Sequence, residues 1–379
     1  MPAPEVNVHI HDHTVLPGET VYLSRSSRRA NSSRCLTHDM NGPTRIRCIA
    51  TEEAFLIPEL VLAMARVAGA STAYDPDLYF WKRVSGSKVL SGRLLDLHEE
   101  RLAIMDQNGI DVHVLSLVAP GVQMLPAAEA SALACLANDR LADAIRLHPH
   151  RYAGLATVAP QDPQAAAREI ERAVQQLRLN GVIINSHTNG EYLDEPRYRP
   201  LLEAAAALRT PIYIHPRAPV PAMAAAFRRY TLEHAIWGFQ AEAGLHGLRL
   251  IVSGLFDQLP GLRIILGHGG EGLPYWLSRI DTMYRQFQVS ERPALQRRPS
   301  EYLRDHFVVT TSGMNWGPAV RLCIDALGAD KVMFAVDYPF QDSAEALAGL
   351  RCADLAPAER QAVMHGNAER VFGISPGAP

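Results

Sequence analysis

The chain has 379 residues, of which 47% are hydrophobic and 20% are charged, and its formal net charge is −3. This is the composition of an ordinary globular protein, with apolar material for one large domain or two medium ones. The 37 basic and 40 acidic residues form no long run of one sign, which argues against nucleic acid or an anionic membrane as a partner. We therefore expect the ligand to be a small molecule.

The cysteines are five in number and widely scattered, without a CxxC pair: Cys35, Cys48, Cys135, Cys323 and Cys352. This spacing is not that of a disulfide framework, so we expect reduced thiols in a cytoplasmic protein. No stretch reaches the ~18 apolar residues of a membrane span, and the N-terminus lacks the apolar core of a signal peptide. The sequence thus predicts neither membrane insertion nor export.

The first forty or so residues differ from the rest because they carry no periodic apolar pattern. The polar tract SSRRANSSR at residues 26–34 illustrates the difference. We predict that residues 1–43 form a flexible N-terminal extension, with Met40 as an alternative start, and that residues 44–379 form a single catalytic domain.

A possible first-strand metal motif lies within this extension. His9 and His11 have the HxH spacing that places two imidazoles on one face of a strand, and His13 follows them. Pro17-Gly18 and a polar tract come next instead of a barrel helix. We therefore interpret these histidines as incidental.

From residue 46 onward, short apolar runs alternate with longer stretches of helical periodicity, the pattern of parallel strands joined by crossover helices. Eight such runs fit strands, which favours an α/β fold of the closed (β/α)8 TIM-barrel type, although an open doubly wound sheet shows the same local pattern. The predicted strands are residues 46–50, 111–117, 153–159, 181–185, 211–215, 263–268, 307–311 and 331–337.

One connecting helix, between the third and fourth strands, can be predicted residue by residue. Asp162 before Pro163 supplies an N-cap and a first-turn proline. Asn180-Gly181 should end the helix, because both residues tolerate the left-handed cap conformation. The residues expected to share its apolar face are Ala166, Ile170, Ala173, Val174 and Leu177.

Polar side chains follow nearly every predicted strand, at the end of the barrel where such folds carry their active sites. Several histidines and acids in one ring indicate a metal site rather than isolated structural residues. The absence of thiolates favours manganese, zinc or iron in a catalytic role. Because consecutive strand residues point to opposite sides, Glu53 is interpreted as a structural neighbour of Glu52. The residues in these positions are Glu52, Glu53, His187, His215, His268, Thr311, Ser312 and Asp337.

Several segments near the strand ends are recognisable sequence motifs: ATEEAF (50–55), VAPGVQ (118–123), TVAPQDP (157–163), INSHTNGEYLD (184–194), PIYIHP (211–216), GHGGEG (267–272), TTSG (310–313) and FAVDYPF (334–340). Together they resemble the decarboxylase branch of the amidohydrolase superfamily, in which a glutamate replaces the first-strand HxH. These motifs are similar to those of the 5-carboxyvanillate, γ-resorcylate and 2,3-dihydroxybenzoate decarboxylases. The resemblance covers nearly everything after residue 45, which implies an amidohydrolase-like barrel.

The resemblance also implies a metal centre. One divalent cation, manganese or alternatively zinc, would be held by Glu52, His187 and Asp337. Ala54 stands where some relatives carry a second histidine.

The implied catalytic and substrate-binding residues surround this centre. Asp337 is implied as the acid that protonates the ring, with His268 and Glu271 as an acid-base pair beside it. His215 and Arg279 are implied as substrate contacts. Arg279 could instead face a neighbouring subunit, since a homodimer or homotetramer is expected.

The implied reaction is the release of carbon dioxide from a small ortho-hydroxylated aromatic carboxylate such as 5-carboxyvanillate. One departure leaves the substrate open, because Gly86 stands where an arginine that fixes the substrate is expected, between Arg83 and Lys88. An amide or lactone hydrolase on the same fold is the alternative, and Glu52 in place of HxH counts against it. A third class, an inactive barrel that serves as an interaction protein, conflicts with the intact acids and histidines.

Overall fold

The computed structural model describes residues 45–287, 290 and 292–376. The predicted extension at residues 1–43, with its alternative start and its histidines, lies outside the described residues. The predicted domain boundary next to it therefore stays a prediction.

Two expectations drawn from composition can be compared with the described part of the chain. None of its helices is both long enough and apolar enough to cross a membrane. Cys48, Cys135 and Cys323 are free thiols, as expected. Cys352 is disulfide-bonded, which departs from the expectation of reduced thiols throughout.

Eight parallel strands form one sheet in the order of the chain, each paired with the next. The last strand region meets the first through hydrogen bonds from Thr51 N to Phe334 O (3.1 Å) and from Asp337 N to Glu52 O (3.0 Å). The predicted (β/α)8 barrel is confirmed. Its strands are β1 (Ile49–Phe55), β2 (Val112–Leu117), β3 (Tyr152–Thr157), β4 (Gly181–Asn185), β5 (Ile212–His215), β6 (Ile264–Leu266), β7 (Phe307–Thr310) and β8 (Val332–Met333).

Helices connect successive strands and surround the barrel. Short 3-10 turns at Pro196–Tyr198, Arg228–Tyr230 and Ala329–Lys331 and a π turn at Ala362–Gly366 supplement them. The α-helices are α1 (Pro58–Ala70), α2 (Pro76–Gly86), α3 (Lys88–Leu95), α4 (Glu100–Asn108), α5 (Ala127–Leu147), α6 (Pro163–Gln175), α7 (Arg199–Ala207), α8 (Pro221–Phe227), α9 (Gly238–Val252), α10 (Leu255–Gln258), α11 (Leu273–Gln286), α12 (Pro299–His306), α13 (Gly317–Leu327), α14 (Ser343–Arg351), α15 (Pro357–Gln361) and α16 (Asn367–Phe372).

The first and last strands depart most from their predicted bounds. β1 begins at Ile49 and continues through Glu52 and Glu53, which lie inside the strand rather than after it. All seven residues of β1 are buried, so the apolar run that predicted the strand ended before the buried segment did. The regular pairing of β8 covers only Val332–Met333, and side chains and single hydrogen bonds hold the rest of the predicted strand.

The helix predicted residue by residue is α6. Its N-cap is confirmed, because Asp162 Oδ1 accepts a hydrogen bond from Ala165 N (3.0 Å). Its predicted apolar face is buried or partly buried. The predicted end is wrong: the helix stops at Gln175, and the left-handed residue is Arg178 (φ +61°). Asn180 instead lies directly before β4 and contacts β3, since its Oδ1 accepts a hydrogen bond from Gly154 N (3.1 Å).

Apolar side chains fill the interior of the barrel, which makes it a packed core rather than a channel. This core closes the amino-terminal side of the barrel, so chemistry is confined to the carboxyl ends of the strands. The buried cluster includes Ile49, Val112, Val114, Ala153, Leu155, Ile183, Tyr213, Ile265, Val308 and Met333.

Candidate active site

A pocket opens at the carboxyl ends of the strands. Acids and imidazoles line it together with aliphatic and aromatic side chains. The polar lining residues used below are Glu52, Ser116, His215, His268 and Asp337, and the apolar ones are Phe80, Leu117, Phe239 and Phe340.

Glu52, on β1, is buried and has two differently placed carboxylate oxygens. Oε2 accepts hydrogen bonds from the hydroxyls of Tyr213, Thr310 (3.0 Å) and Ser312. Oε1 is buried without a hydrogen-bond partner. Gly267 leaves room for this arrangement, because a Cβ there would lie 2.9 Å from Oε2. The three hydroxyls fix the carboxylate and leave one oxygen for another partner.

The surroundings of Glu52 favour its charged form. Burial alone would raise the pKa of its carboxyl group. The positive charge of His268, the neighbouring imidazole of His215 and the hydroxyl hydrogen bonds outweigh burial and hold the pKa below its ordinary value. Glu52 is therefore an anion at neutral pH.

His215, at the end of β5, presents one nitrogen to Glu52. Its Nδ1–H donates to Pro216 O (2.7 Å), which leaves the lone pair on Nε2, 3.4 Å from Glu52 Oε1. Burial lowers the pKa of this imidazole, and the charge of His268 adds to that effect although Glu52 opposes it. A neutral imidazole held through its other nitrogen is the form that binds metals.

Asp337 follows β8 in the left-handed conformation, with φ +73°. Burial, first of all, raises the pKa of its carboxyl group well above the ordinary value, and the nearby carboxylates of Glu52, Glu53 and Glu271 add to the effect, while His268 opposes it. Without a cation in the site, this carboxyl group therefore holds its proton.

Glu52, His215 and Asp337 form a group suited to one metal ion. Each offers one ligand atom, and these atoms lie within 4.8 Å of one another. Ligands bound at about 2.0–2.2 Å to a common ion fit within that spacing. The unpartnered Glu52 Oε1 gains a partner if an ion binds. Carboxylate and imidazole ligands together fit manganese or zinc.

The imidazole in this group differs from the one in the predicted ligand set, which was His187. His187 Nε2–H donates to Ala218 O (3.1 Å), and Nδ1 accepts from Gly190 N (3.3 Å), so both ring nitrogens are engaged by backbone. The residue lies two positions beyond β4, after a left-handed turn at Ser186 (φ +37°). The geometry therefore groups His215, and not His187, with Glu52 and Asp337.

Because the geometry groups His215 and not His187 with the two acids, replacing these histidines should have different effects on metal binding. His215→Ala should weaken Mn²⁺ binding by more than the ~100-fold typical of losing a residue that only supports a ligand. His187→Ala should leave Mn²⁺ affinity within a few-fold of the parent protein. Elemental analysis after gel filtration, with Mn²⁺ titrations followed by electron paramagnetic resonance, measures both. Loss of metal from His187→Ala, with full retention in His215→Ala, would restore the sequence-based assignment.

His268 and Glu271 lie side by side at the pocket edge. His268 Nδ1 is 2.9 Å from Glu271 Oε1, and its Nε2 is 3.6 Å from Glu52 Oε1. The Glu271 side chain is fully buried rather than solvated at a helix start. Burial lowers the pKa of His268, but the carboxylates of Glu271, Glu52 and Asp337 outweigh it and raise the pKa to about 10. His268 therefore carries a proton at neutral pH, next to the group of Glu52, His215 and Asp337.

A pH dependence follows for the metal-free protein. The folded-state pKa of His268, about 10, lies above the value of about 6.5 expected for an unfolded chain. Its stabilising charge is therefore fully present below about pH 6.5 and lost as the pH rises toward 10. We expect the stability advantage of the parent protein over Glu271→Gln to decline across this range in thermal unfolding. An advantage that is constant from pH 6 to 10 would contradict the assignment.

Arg279 does not line the pocket of its own chain, so its predicted substrate contact, or its alternative position facing a neighbouring subunit, stays a prediction. The residue is exposed on α11 and lines an outer groove together with Trp276 and Tyr284. α11 starts directly after the GHGGEG turn and buries Leu273, Pro274 and Leu277, whereas Arg279 lies on its exposed side.

Two features of the site were not predicted from the sequence. One is Tyr213, whose hydroxyl holds Glu52; its position two residues before His215 on β5 could have indicated that both face the barrel interior. The other is the aromatic wall, in which the ring of Phe80 lies 5.7 Å from that of Phe239 and 5.9 Å from that of Phe340. These rings come from three separate segments, so no local pattern marks them.

Comparison with known proteins gives concordant matches. A family model described as amidohydrolase matches residues 74–374. The γ-resorcylate decarboxylase of Rhodococcus jostii is 37% identical over 339 residues, 86% of this chain and 98% of that protein. The structure of 5-carboxyvanillate decarboxylase from Sphingomonas paucimobilis has a TM-score of 0.84 and 45% identity, covering 87% of this chain and 100% of that one. The enzyme of the same name from Novosphingobium aromaticivorans, complexed with manganese and 4-hydroxy-3-methoxy-5-nitrobenzoic acid, has a TM-score of 0.84 and 40% identity, covering 87% of this chain and 96% of that one.

Proposed function

The chain belongs to the amidohydrolase family, and we propose that it is a manganese-dependent decarboxylase of a small ortho-hydroxylated aromatic acid, with 5-carboxyvanillate or a close analogue as the substrate. The observation that carries the proposal is the grouping of Glu52, His215 and Asp337 in a pocket that aromatic side chains also line. Relatives of similar length that are named aromatic-acid decarboxylases support it.

In the proposed site, Glu52, His215 and Asp337 hold the cation, and His187 is not part of the set. When bound, the cation supplies positive charge that binds the carboxylate and phenol oxygens of the substrate and orients the ring. Zinc fits the same ligands, and the manganese in a similar structure is the reason to prefer manganese.

Asp337 is the proposed proton donor. Burial and the neighbouring acids raise the pKa of its carboxyl group in the metal-free protein, so this group has a high proton affinity and can receive a solvent proton and pass it to the ring. The proton forms a new C–H bond at the ring carbon that carries the carboxylate. The bond to the carboxylate then breaks, carbon dioxide leaves and the electron pair returns to the ring. Protonation avoids a bare aryl anion, which is prohibitively high in energy.

His268 and Glu271 are proposed to relay the proton of the phenol group of the substrate. Glu271 accepts the Nδ1–H of His268 and thereby fixes the orientation of the ring, so that Nε2 faces the site. A protonated imidazole held in this way can donate its Nε2–H to the phenolate oxygen of the substrate and so relay the phenol proton while the carboxylate leaves.

The aromatic wall is proposed to hold the substrate ring and to keep water out. Phe80, Phe239 and Phe340 are contributed by α2, α9 and the segment after β8. Stacked or edge-on contacts with an aromatic acid suit such a wall. Excluding water also strengthens the charge interactions among the acids and imidazoles that line the pocket.

We further propose a homodimer or homotetramer in the cytoplasm. Exposed aromatic side chains cluster around α11, with Tyr275 68%, Trp276 49% and Phe287 65% exposed, and such a patch suits contact with another subunit. The free thiols of Cys48, Cys135 and Cys323 support the cytoplasmic location, whereas the disulfide-bonded Cys352 does not.

The test is a screen of ortho-hydroxybenzoates with the manganese-loaded protein, following carbon dioxide and the ring product. The panel includes 5-carboxyvanillate, 2,6-dihydroxybenzoate and, as matched controls, the same acids without the ortho hydroxyl. We expect turnover only when the ortho hydroxyl is present, because two oxygens are needed to orient the ring. Hydrolysis of amides or lactones, with every hydroxybenzoate unchanged, would replace the proposal with the hydrolase alternative.

A further inference from the structure

Glu53 is fully buried beside Glu52 on β1, and its carboxylate accepts two backbone hydrogen bonds. Val336 N donates to Oε1 (2.9 Å), and Tyr338 N donates to Oε2 (3.1 Å). These two amides belong to the residues directly before and after Asp337. A single side chain therefore accepts hydrogen bonds from the backbone on both sides of Asp337, which is the proposed metal ligand and proton donor.

Asp337 needs such support because its backbone is strained. Its φ of +73° lies in the left-handed region that residues other than glycine rarely adopt, and such conformations persist only where the surroundings hold them. The regular pairing of β8 ends at Met333, four residues earlier. Beyond it, Asp337 N donates to Glu52 O (3.0 Å) and Ala54 N donates to Tyr338 O (2.7 Å).

An irregularity in β1 accompanies the different positions of the two consecutive glutamates. The pairing of β1 with β2 shifts register between Ala50 and Glu53. Glu52 lines the pocket, whereas Glu53 bonds to the backbone that follows β8. Glu53 therefore supplies acceptors along the stretch where the regular ladder between β8 and its neighbours has ended.

We infer that Glu53 is a positioning residue, which fixes the backbone on both sides of Asp337 and so sets where the Asp337 carboxyl group stands relative to Glu52 and His215. The inference rests on the proposed role of Asp337. The backbone N–H groups of Val336 and Tyr338 both donate to the one Glu53 side chain, so the peptide groups on both sides of Asp337 are restrained together. With only one of these bonds, the peptide group on the other side would lose its restraint.

Glu53→Gln tests this role because the amide keeps the size of the side chain but turns one acceptor into a donor facing a backbone N–H. We expect Mn²⁺ affinity of the metal-free protein to fall about 10- to 100-fold, as for lost ligand supports. With metal restored, we expect kcat to fall about 100-fold, the effect of a displaced catalytic group, and KM to change less. Glu53→Asp, whose shorter side chain reaches only one amide, should show intermediate losses.

The matched control is Glu169→Gln on α6. Glu169 is also a buried carboxylate and accepts a hydrogen bond from Asn138 Nδ2 (2.6 Å), but it does not line the pocket. We expect it to lower the melting temperature while Mn²⁺ affinity and kcat stay unchanged. Glu53→Gln with the same melting loss, but with parental Mn²⁺ affinity and metal-saturated kcat, would overturn the inference. If Glu53→Gln does not fold, the same comparison with Glu53→Asp decides.

The readouts also separate this inference from the proposed function. Mn²⁺ affinity is measured without substrate, by titration of the metal-free protein. A parent protein that binds Mn²⁺ but releases no carbon dioxide from any hydroxybenzoate would disprove the decarboxylase proposal. The metal titration of Glu53→Gln would still decide whether Glu53 positions Asp337.

Discussion

Replacing Asp337 by Asn is expected to reduce kcat by at least the ~10²- to 10⁴-fold that a positioned general acid contributes. The amide keeps the shape of the side chain, but it cannot deliver a proton to the ring carbon. It also removes an anionic ligand, so Mn²⁺ binding should weaken as well. Steady-state release of carbon dioxide at saturating Mn²⁺ separates the catalytic loss from the binding loss.

Asp342→Asn is the matched control for this substitution. Asp342 lies five residues further along the same segment and caps α14 through Ala344 N (2.9 Å), outside the pocket. Asn is as good an N-cap as Asp, so stability and kcat should both be unchanged. Asp337→Asn with parental kcat at saturating Mn²⁺ would show that the proton comes from another group.

Replacing Glu52 by Gln is expected to abolish activity through loss of the metal. The three hydroxyls that donate to Glu52 Oε2 should hold the amide oxygen in that place. The amide nitrogen would then occupy the position of Oε1 and present N–H donors, instead of a lone pair, to the cation. Mn²⁺ affinity should fall by more than the ~100-fold seen for residues that only support ligands.

Glu59→Gln on α1 serves as the control, because Glu59 makes a surface ion pair with Arg140 (2.9 Å) and does not line the pocket. Surface ion pairs contribute little to stability, so metal content and activity should be parental. Elemental analysis of purified Glu52→Gln reads the result directly. Full Mn²⁺ occupancy in this variant would remove Glu52 from the ligand set.

The sequence was sufficient to predict the barrel because its signals are repeated. Apolar runs and helical periodicity alternate eight times, and each repeat constrains the fold in the same way. Where buried polar residues interrupt a run, prediction becomes less accurate. β1 extends through Glu52 and Glu53, which a search for apolar runs excludes, although every residue of that strand is buried.

The identity of the imidazole ligand shows where sequence reasoning reached its limit. His187 and His215 both follow apolar runs, and spacing alone does not distinguish them. The difference comes from the left-handed turn at Ser186 and from the hydrogen bond of His215 to Pro216, which only coordinates reveal. One signal was available: His215 is the last residue of its run, whereas His187 is two residues past the end.

Arg279 and Glu53 illustrate two other limits. The side on which Arg279 emerges depends on the direction in which α11 leaves the GHGGEG turn, which no local pattern specifies. Glu53 was correctly interpreted as a neighbour of Glu52 rather than a ligand, yet its bonds to Val336 and Tyr338 connect residues more than 280 positions apart. Such long-range contacts arise only when the barrel closes.

The most direct test of the proposed function is turnover of an ortho-hydroxybenzoate in deuterium oxide by the manganese-loaded protein. The product is analysed by proton nuclear magnetic resonance and mass spectrometry. We expect release of carbon dioxide and one deuterium on the ring carbon that lost the carboxylate, because the proton comes from an enzyme group that exchanges with solvent. Unchanged hydroxybenzoates, together with incorporation of solvent oxygen into a cleaved amide or lactone, would contradict it.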